Sequence, residues 1–212
     1  MERSIGDRNI LDKFCTEFCS IVEKHAKYII VSGFVAIAAG RTRATEDIDM
    51  IVERMSKKTF NKLHHDLVAH GFVCMQSDVA DELFDDYLTK KANVRYTYKD
   101  KHVPEMEVKF AKDELDMLQL QSRIKLPSTG LDVWFGIIEM NIAFKEDYLK
   151  SDKDIEDARH LRIVFVTNVK KLFECTDERQ NAYGTGGTMG ALCKRASYCL
   201  EKRAHSVYQC SI

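Results

Sequence analysis

The chain has 212 residues, 45% of them hydrophobic, so it is long enough for one substantial core or two small domains. Its 32 basic and 33 acidic side chains give a formal net charge of -1, which excludes the global basicity of many nucleic-acid-binding proteins but leaves local patches open. No run approaches the roughly 18 apolar residues of a membrane span, and the N-terminus lacks a signal-peptide pattern. The sequence therefore predicts a soluble, cytoplasmic protein without a membrane partner.

The first part of the chain predicts a helix, a strand, a turn, a short helix and a second strand. Apolar residues at helical spacing predict an amphipathic helix over residues 10–25. Residues 28–31 are a short apolar run that ends at Ser32 and Gly33, which is typical of a buried strand followed by a turn. Residues 47–52 alternate, so Asp47 and Asp49 are predicted to lie on one face of the second strand.

The rest of the chain predicts further helices and strands. Ser56 is the predicted N-cap of a helix that ends at Gly71, and we expect the histidines of this helix, His64, His65 and His70, to be solvated. Alternation in the strand at 103–110 places Glu105 and Glu107 on its polar face. The other predicted elements are strands at 72–75 and 94–98, helices at 79–88 and 112–121, extended segments at 123–126 and 131–135, helices from 137 and over 153–166 and 169–173, a glycine-rich connector at 183–190, and a peripheral helix or partly disordered end at 191–212.

The two carboxylates of the second strand and the turn before them indicate phosphate chemistry. Adjacent carboxylates repel each other, so Asp47 and Asp49 are expected to need a cation, and their hard oxygen atoms suit Mg²⁺. Gly33 lets the backbone approach a phosphate closely, and the start of the following helix favours an anion. An Asp-x-Asp pattern is weak by itself, because residues 152–154 repeat it, but its combination with the turn is more specific.

Two motifs in this order resemble signatures of the nucleotidyltransferase superfamily that is built on the DNA polymerase β palm. The first comprises Ser32-Gly33, a short helix ending at Gly40, and Arg41-x-Arg43-x-Thr45-x-Asp47-x-Asp49. The second, Lys145 followed by Lys153-Asp154-x-x-Asp157, is similar to the signature of the abortive-infection branch, which includes toxins of toxin–antitoxin pairs. The matching stretches extend over about residues 28–165.

The resemblance implies an α/β (α+β) fold with a small mixed sheet flanked by helices. It implies a palm-like catalytic domain over residues 1–135 and a mainly helical region over residues 136–212 that completes the nucleotide site.

The resemblance also implies the roles of the site residues. Asp47, Asp49 and Glu107 are the expected ligands of two Mg²⁺ ions, with Mn²⁺ as an alternative ion and Glu105 as an alternative third carboxylate. A nucleoside triphosphate such as ATP is expected to contact Ser32, Gly33, Arg41, Arg43, Thr45 and Lys145. Lys145 and Asp154 are expected to assist catalysis, although Asp154 could instead cap its own helix together with Ser151.

The predicted function is Mg²⁺-dependent transfer of a nucleoside monophosphate from a nucleoside triphosphate to a hydroxyl group. The acceptor stays open between RNA, a protein and a small molecule, and a toxin with an antitoxin partner is the more specific expectation. The alternatives are a non-catalytic nucleotide-binding or interaction module with the same fold, and a metal-dependent phosphohydrolase. The nucleobase preference and the oligomeric state are not readable from the residues.

Overall fold

The computed structural model describes residues 8–43, 45 and 47–165, with side chains from residue 10 onward. The chain divides into two compact units after Gly136. The predicted helices over 169–173 and 191–212 and the connector at 183–190 lie outside the described residues. Across residues 8–43 and 47–165, no helix combines the length and the apolarity needed to cross a membrane.

The first unit alternates helices and short strands. Its helices are α1 (Arg8–Val22), α2 (Gly33–Ala38), α3 (Lys57–Ala69), α4 (Ala80–Glu82, continuing as the π-helical turn Leu83–Leu88) and α5 (Glu114–Gln121). Its strands are β1 (Tyr28–Val31), β2 (Asp47–Val52), β3 (Phe72–Cys74), β4 (Val94–Tyr98), β5 (Glu105–Phe110), β6 (Ile124–Lys125) and β7 (Trp134–Phe135), with a 3₁₀ turn at Pro127–Thr129.

The strands form one open sheet in the order β3-β4-β5-β2-β1-β7-β6. The central strand β2 runs parallel to β5 and antiparallel to β1, and β1 runs parallel to β7. The sheet is therefore mixed, and the α/β class expected from the sequence is confirmed.

Helices α1 and α3 cover one face of this sheet. The ring centroid of Phe14 on α1 lies 5.0 Å from that of Tyr98, and the centroid of Phe18 lies 5.1 Å from that of Phe72. On α3, His64 is 3% exposed, and its Nδ1 lies 2.9 Å from the hydroxyl oxygen of Tyr96. The expectation of a solvated His64 is therefore wrong, because this residue lies on the core-facing side of the helix, and burial lowers its pKa. His65 and His70 are exposed, as expected.

The opposite face of the sheet is divided into an apolar and a polar part. Helix α5 starts with an N-cap in which the side chain of Asp113 accepts a hydrogen bond from the backbone of Asp116. The apolar part is a buried cluster made by β1, β2, α5 and the residue after β5, namely Ile29, Val31, Ile51, Ala111 and Leu120. Alternation along β2 and β5 places the carboxylates at the start of both strands on this same face, beyond the apolar cluster.

The described residues of the second unit are helical. Helix α6 (Ile138–Phe144) continues as the π-helical turn Lys145–Leu149 and ends at Lys150, which has a left-handed φ of 59°. Helix α7 (Asp152–Val164) starts at its N-cap Ser151, whose hydroxyl oxygen accepts a hydrogen bond from the Asp154 backbone. The mainly helical C-terminal part is thus confirmed for residues 137–165.

Candidate active site

The register of two parallel strands brings four carboxylates onto one sheet face. Asp47 of β2 is aligned with Glu105 of β5, and Asp49 is aligned with Glu107. Alternate residues of a strand point to the same side, so all four side chains lie on the same face of the sheet. They form its polar part, and α5 packs on its apolar part. We call these four residues the acidic face.

Asp49 connects the acidic face to the turn that follows β1. Asp49 is aligned with Val31 in the antiparallel pairing of β2 with β1, so the next residue, Ser32, lies beside it. The Ser32 hydroxyl is close enough to the Asp49 carboxylate to favour its charged form. Burial raises the pKa of Asp49, and the charges of Glu107 and Asp47 raise it further, against the opposing effects of Lys109 and Ser32. Ionisation of Asp49 therefore costs more free energy in the folded protein than in the unfolded chain.

The turn itself has an unusual backbone and a guanidinium beside it. Ser32 has φ 66° and ψ -138°, a conformation that residues other than glycine rarely adopt. At Gly33, a Cβ atom would stand 3.1 Å from Nη1 and 3.2 Å from Nη2 of Arg43. The absence of a side chain at Gly33 thus lets the Arg43 guanidinium lie directly against the turn. This places a permanent positive charge next to the predicted phosphate-binding residues.

The connection between α2 and β2 carries the other residues of the predicted motif. The Arg41 backbone N–H donates to the carbonyl oxygen of Ala36 at 2.9 Å, just after the end of α2. The Thr45 hydroxyl lies 2.8 Å from Oδ1 of Asp47 and donates a hydrogen bond to it. Thr45 thereby orients the exposed carboxylate at the start of β2.

Glu107 is held by two residues that the predicted motif does not contain. Oε1 of Glu107 accepts a hydrogen bond from the side-chain amide of Asn93 at 2.5 Å. Oε2 accepts from Nη2 of Arg95 at 2.9 Å and from Nε at 3.2 Å, because the antiparallel pairing of β4 with β5 aligns Arg95 with Glu107. Nη1 of Arg95 lies 3.6 Å from Glu105. These contacts, led by the hydrogen bond to Glu107, raise the pKa of Arg95.

The acidic face has the chemistry that a hard divalent cation requires. Arg95 and Lys109 lie beside its carboxylates, and burial, with smaller contributions from the charges of Glu107 and Asp47, raises the pKa of Asp49. No group of three or more His, Cys, Asp or Glu side chains in the described part of the chain is arranged to hold a metal ion. Asp47, Asp49 and Glu107 as metal ligands, with Glu105 as the alternative third ligand, stay a prediction.

In the second unit, the residues of the second predicted motif form a buried ionic cluster. Nζ of Lys145 lies 3.2 Å from Oδ1 of Asp154 and 2.9 Å from Oδ2 of Asp157. Lys145 is 1% exposed and Asp157 is fully buried. Burial acts to raise the pKa of Asp154, but hydrogen bonds from Ser151 and Lys145 outweigh it, so that the pKa is lowered. The structure thus joins Lys145 to Asp154, and their contact with a nucleotide stays a prediction.

Comparisons with known proteins find similar solved structures only at low identity. No family model matches the chain, and no curated protein matches it significantly. The similar structures include the antibiotic-resistance factor ANT(2'')-Ia, at 15% identity and a TM-score of 0.45 over 82% of this chain and 98% of that one. JHP933 from Helicobacter pylori is 13% identical, with a TM-score of 0.41, over 97% of this chain and 99% of that chain. The conserved protein GrpB from Enterococcus faecalis is 14% identical, with a TM-score of 0.34, over 78% of this chain and 95% of that chain. Similarity at this level assigns no family.

Sequence reasoning missed Asn93 and Arg95 as members of the site. The only signal was the alternation of β4, which separates Arg95 from the buried Val94 and Tyr96 and so predicts a polar face for it. That pattern does not show which residue of a neighbouring strand Arg95 meets. The contact with Glu107 depends on the register of two strands joined by residues 99–104.

Proposed function

We propose that the chain is a divalent-metal-dependent nucleotidyltransferase that transfers a nucleoside monophosphate from a nucleoside triphosphate to a hydroxyl group. The observation that supports this most is the position of Asp49. It lies beside Ser32 of the turn, whose hydroxyl favours its charged form, and is aligned with Glu107 in the neighbouring strand. A phosphate-sized anion at the turn would therefore lie beside a group of carboxylates, which is the combination that metal-assisted phosphoryl chemistry needs.

Each residue of the proposed site has a role that follows from its chemistry. Asp47, Asp49 and Glu107 would hold Mg²⁺ or Mn²⁺, and these ions would supply charge neutralisation and a lowered pKa of the acceptor hydroxyl. Ser32 and Gly33 would bind the phosphate tail through the hydroxyl and backbone N–H groups. The triphosphate would also be bound by three residues of the connection before β2, namely Arg41, Arg43 and Thr45.

The reaction is a substitution at the α-phosphorus. The oxygen atom of the acceptor hydroxyl forms a bond to the α-phosphorus, and its proton is taken up by water. The bond from the α-phosphorus to the oxygen that bridges to the β-phosphorus breaks, and pyrophosphate leaves with that electron pair. The positive charge of Arg43 beside Gly33 would stabilise the charge that develops on the leaving phosphates.

The finer assignments rest on the sequence motifs. Lys145 and Asp154 are proposed to assist binding of the triphosphate, and an abortive-infection toxin with an antitoxin partner is the proposed biological class. RNA, a protein side chain and a small hydroxylated molecule are all compatible with the same reacting groups, because a fold does not determine an acceptor.

A second candidate function is a non-catalytic nucleotide-binding module. It is favoured by one observation, that both carboxylate oxygens of Glu107 already have protein partners, Asn93 and Arg95. Such a module would bind a nucleoside triphosphate without transferring any part of it.

The test is incubation of the protein with each α-³²P-labelled nucleoside triphosphate and Mg²⁺ in the presence of total RNA and total protein. We expect one of these pools, or a small-molecule fraction, to acquire label. Asp47→Asn should reduce labelling by about 100-fold or more, as loss of an electrostatic contact in a reacting site does. The exposed carboxylate of Asp86, which pairs with Lys90, provides the matched control Asp86→Asn.

The outcomes separate the candidates. Mg²⁺-dependent nucleotide binding without labelling of any pool would indicate the non-catalytic module. Release of monophosphate rather than pyrophosphate would indicate a phosphohydrolase. An unchanged rate in Asp47→Asn would refute the assignment of the site.

A further inference from the structure

Two cations and an aromatic ring form a compact group at the edge of the sheet where β6 pairs with β7. Arg123 and Lys125 both lie over the indole ring of Trp134, with Cζ of Arg123 4.2 Å and Nζ of Lys125 5.0 Å from the ring centroid. The antiparallel pairing aligns Lys125 with Trp134, and Arg123 leaves the chain on the same side as Lys125 because alternate residues do so. We call Arg123, Lys125 and Trp134 the cationic cluster.

The charge of Arg123 is not neutralised within the described part of the chain. Its guanidinium makes no hydrogen bond or ion pair there, and its Nη1 is buried without an acceptor. The ring of Trp134 therefore supports the guanidinium, while the N–H donors stay available to a ligand. A buried N–H group without an acceptor costs free energy, and an anion would offset this cost once the guanidinium turns toward it.

Two acidic side chains border the cationic cluster, and each has another role. Asp132 pairs with Lys125 at 2.5 Å, but its side chain is 82% exposed. Such an exposed pair contributes little to stability, so a phosphate can replace Asp132 as the partner of Lys125. Oε1 of Glu23 accepts a hydrogen bond from the indole N–H of Trp134 at 2.6 Å, in the plane of the ring. Glu23 thus fixes the orientation of the ring without covering its face.

The combination of charge and aromatic surface fits a single-stranded polynucleotide better than an acidic peptide. Trp134 is half-buried, so part of its ring reaches solvent, and Lys125 is exposed. In proteins that bind single strands, bases stack on aromatic rings or guanidinium planes while Arg and Lys contact the phosphates. An acidic peptide offers carboxylates to the two cations but no group that needs the ring.

We propose that the cationic cluster binds a single-stranded polynucleotide, with Arg123 and Lys125 contacting phosphates and a base stacking beside them on Trp134. The formal net charge of -1 does not oppose this, because the phosphates meet the local charge of the cluster. The inference goes beyond the proposed function, and it does not depend on a cation at the acidic face.

The experiment uses the fluorescence of Trp134, which is the only tryptophan of the chain and so reports directly on the cluster. The full chain is titrated in chelator, without nucleoside triphosphate, with a single strand of about 12 nucleotides, once as RNA and once as DNA of the same sequence. We expect saturable quenching that weakens as the salt concentration rises. Tighter binding of RNA than of DNA would add a contact to the 2′-hydroxyl group, and equal affinities would assign the site to both polymers.

Four variants test the assignment of the contacts. Arg123→Gln removes the unpaired charge, so it should weaken binding about tenfold and reduce the salt slope by about 0.7. Arg123→Lys keeps the charge but loses the planar fork, and we expect an intermediate affinity. Asp132→Asn releases Lys125 and should tighten binding about threefold. Lys90→Gln removes an exposed lysine that pairs with Asp86 outside the cluster, so it controls for net charge and should bind as the wild type does.

Circular dichroism verifies that each variant is folded. If Arg123→Gln is not folded, Arg123→Lys and Asp132→Asn carry the test.

Three results would overturn the proposal. The first is the absence of saturable quenching in the wild type, and the second is wild-type affinity in the Arg123 variants. The third is displacement of the RNA by poly-glutamate at an equal concentration of charged groups, which would show that the cluster takes an acidic peptide instead. None of these results affects the proposed function, because transfer of label to an acceptor is measured separately. Conversely, a failure of label transfer would leave the quenching and its dependence on Arg123 unchanged.

Discussion

The side chain of Ser32 lies beside the carboxylate of Asp49 and favours its charged form, which links the turn after β1 to the acidic face of β2. Ser32 makes this contact from a backbone conformation with positive φ, which costs a residue other than glycine about 1–3 kcal/mol. A strained residue at a junction between two groups of predicted site residues is a feature typical of functional sites.

The strain at Ser32 can be measured with a matched pair of variants. Ser32→Ala and Ser32→Gly both remove the hydroxyl, but only glycine relieves the backbone. We therefore expect Ser32→Gly to be more stable than Ser32→Ala by about 1 kcal/mol in urea unfolding. Equal stabilities would show that the turn relaxes to an ordinary conformation in both variants.

Asp49→Asn should stabilise the protein at neutral pH when no divalent cation is present. Burial raises the pKa of Asp49 above its ordinary value of 3.8, so the folded protein holds this proton more tightly than the unfolded chain does. Stability then falls as the pH rises through the raised folded value. We expect a gain of about 1 kcal/mol for Asp49→Asn at pH 7, which shrinks as the pH is lowered toward 3.8.

The measurement for Asp49 is urea unfolding at a series of pH values from 4 to 8, with chelator present. Asp86→Asn, which removes an exposed carboxylate, should show no comparable gain. A stability difference for Asp49→Asn that does not depend on pH would contradict the assigned cause.

Gly33→Ala should act through Arg43. The added Cβ would lie 3.1 to 3.3 Å from the Arg43 guanidinium, so the side chain must move away from the turn while the fold survives. If Arg43 binds the triphosphate, Gly33→Ala and Arg43→Gln should each weaken nucleotide binding by about tenfold, close to 1.4 kcal/mol. The double variant should be little worse than either single variant, because both remove one contact.

Calorimetric titration with a non-hydrolysable nucleoside triphosphate measures this coupling. Fully additive losses in the double variant would show that Gly33 and Arg43 act independently.

Lys145→Met should destabilise the second unit. It leaves the carboxylates of Asp154 and Asp157 buried without their cation, and breaking a buried ion pair in this way costs about 3–5 kcal/mol. Because the pKa of Asp154 is lowered, the stabilisation is present above its ordinary value of 3.8 and is lost as the pH falls through the folded value. Unfolding in urea at pH 7 measures the loss.

Two further variants serve as controls for Lys145→Met. Lys153→Met changes an exposed lysine of α7, the helix that carries Asp154 and Asp157, and should leave stability within about 0.5 kcal/mol. Replacing Lys145, Asp154 and Asp157 together by Met, Asn and Asn should recover part of the loss. Wild-type stability in Lys145→Met would contradict the expected cost of breaking these ion pairs.

The local parts of the candidate site could be predicted from the sequence. Alternation in β2 and β5 correctly assigned Asp47, Asp49, Glu105 and Glu107 to polar strand faces, because strand periodicity is a property of a few consecutive residues. The N-cap at Ser56 was likewise predicted from its immediate neighbours and is confirmed. For α7 the sequence left the N-cap open between Ser151 and Asp152, and the structure has Ser151.

The contacts between distant segments could not be predicted. Whether Glu107 meets Arg95 depends on the register of a hairpin, and a shift of one residue would turn Arg95 away from it. The burial of His64 depends on which side of α3 faces the sheet, and the polarity of histidine gave the wrong expectation. The sequence alone suggested that Lys145 is a phosphate ligand. Its two carboxylate partners lie nine and twelve residues later in the chain, so only the structure shows that they contact it.

The central strand β2 has consequences for how such a protein can diverge. Its even positions, among them Ile48 and Met50, are fully buried, while its odd positions Asp47 and Asp49 carry the carboxylates of the acidic face. Substitutions at Asp47 and Asp49 can alter the charge of the acidic face without changing the apolar residues of the interior. A single inserted or deleted residue would exchange the two sets, burying acids and exposing aliphatic side chains. Homologous proteins should therefore differ in the residues of this strand but conserve its length.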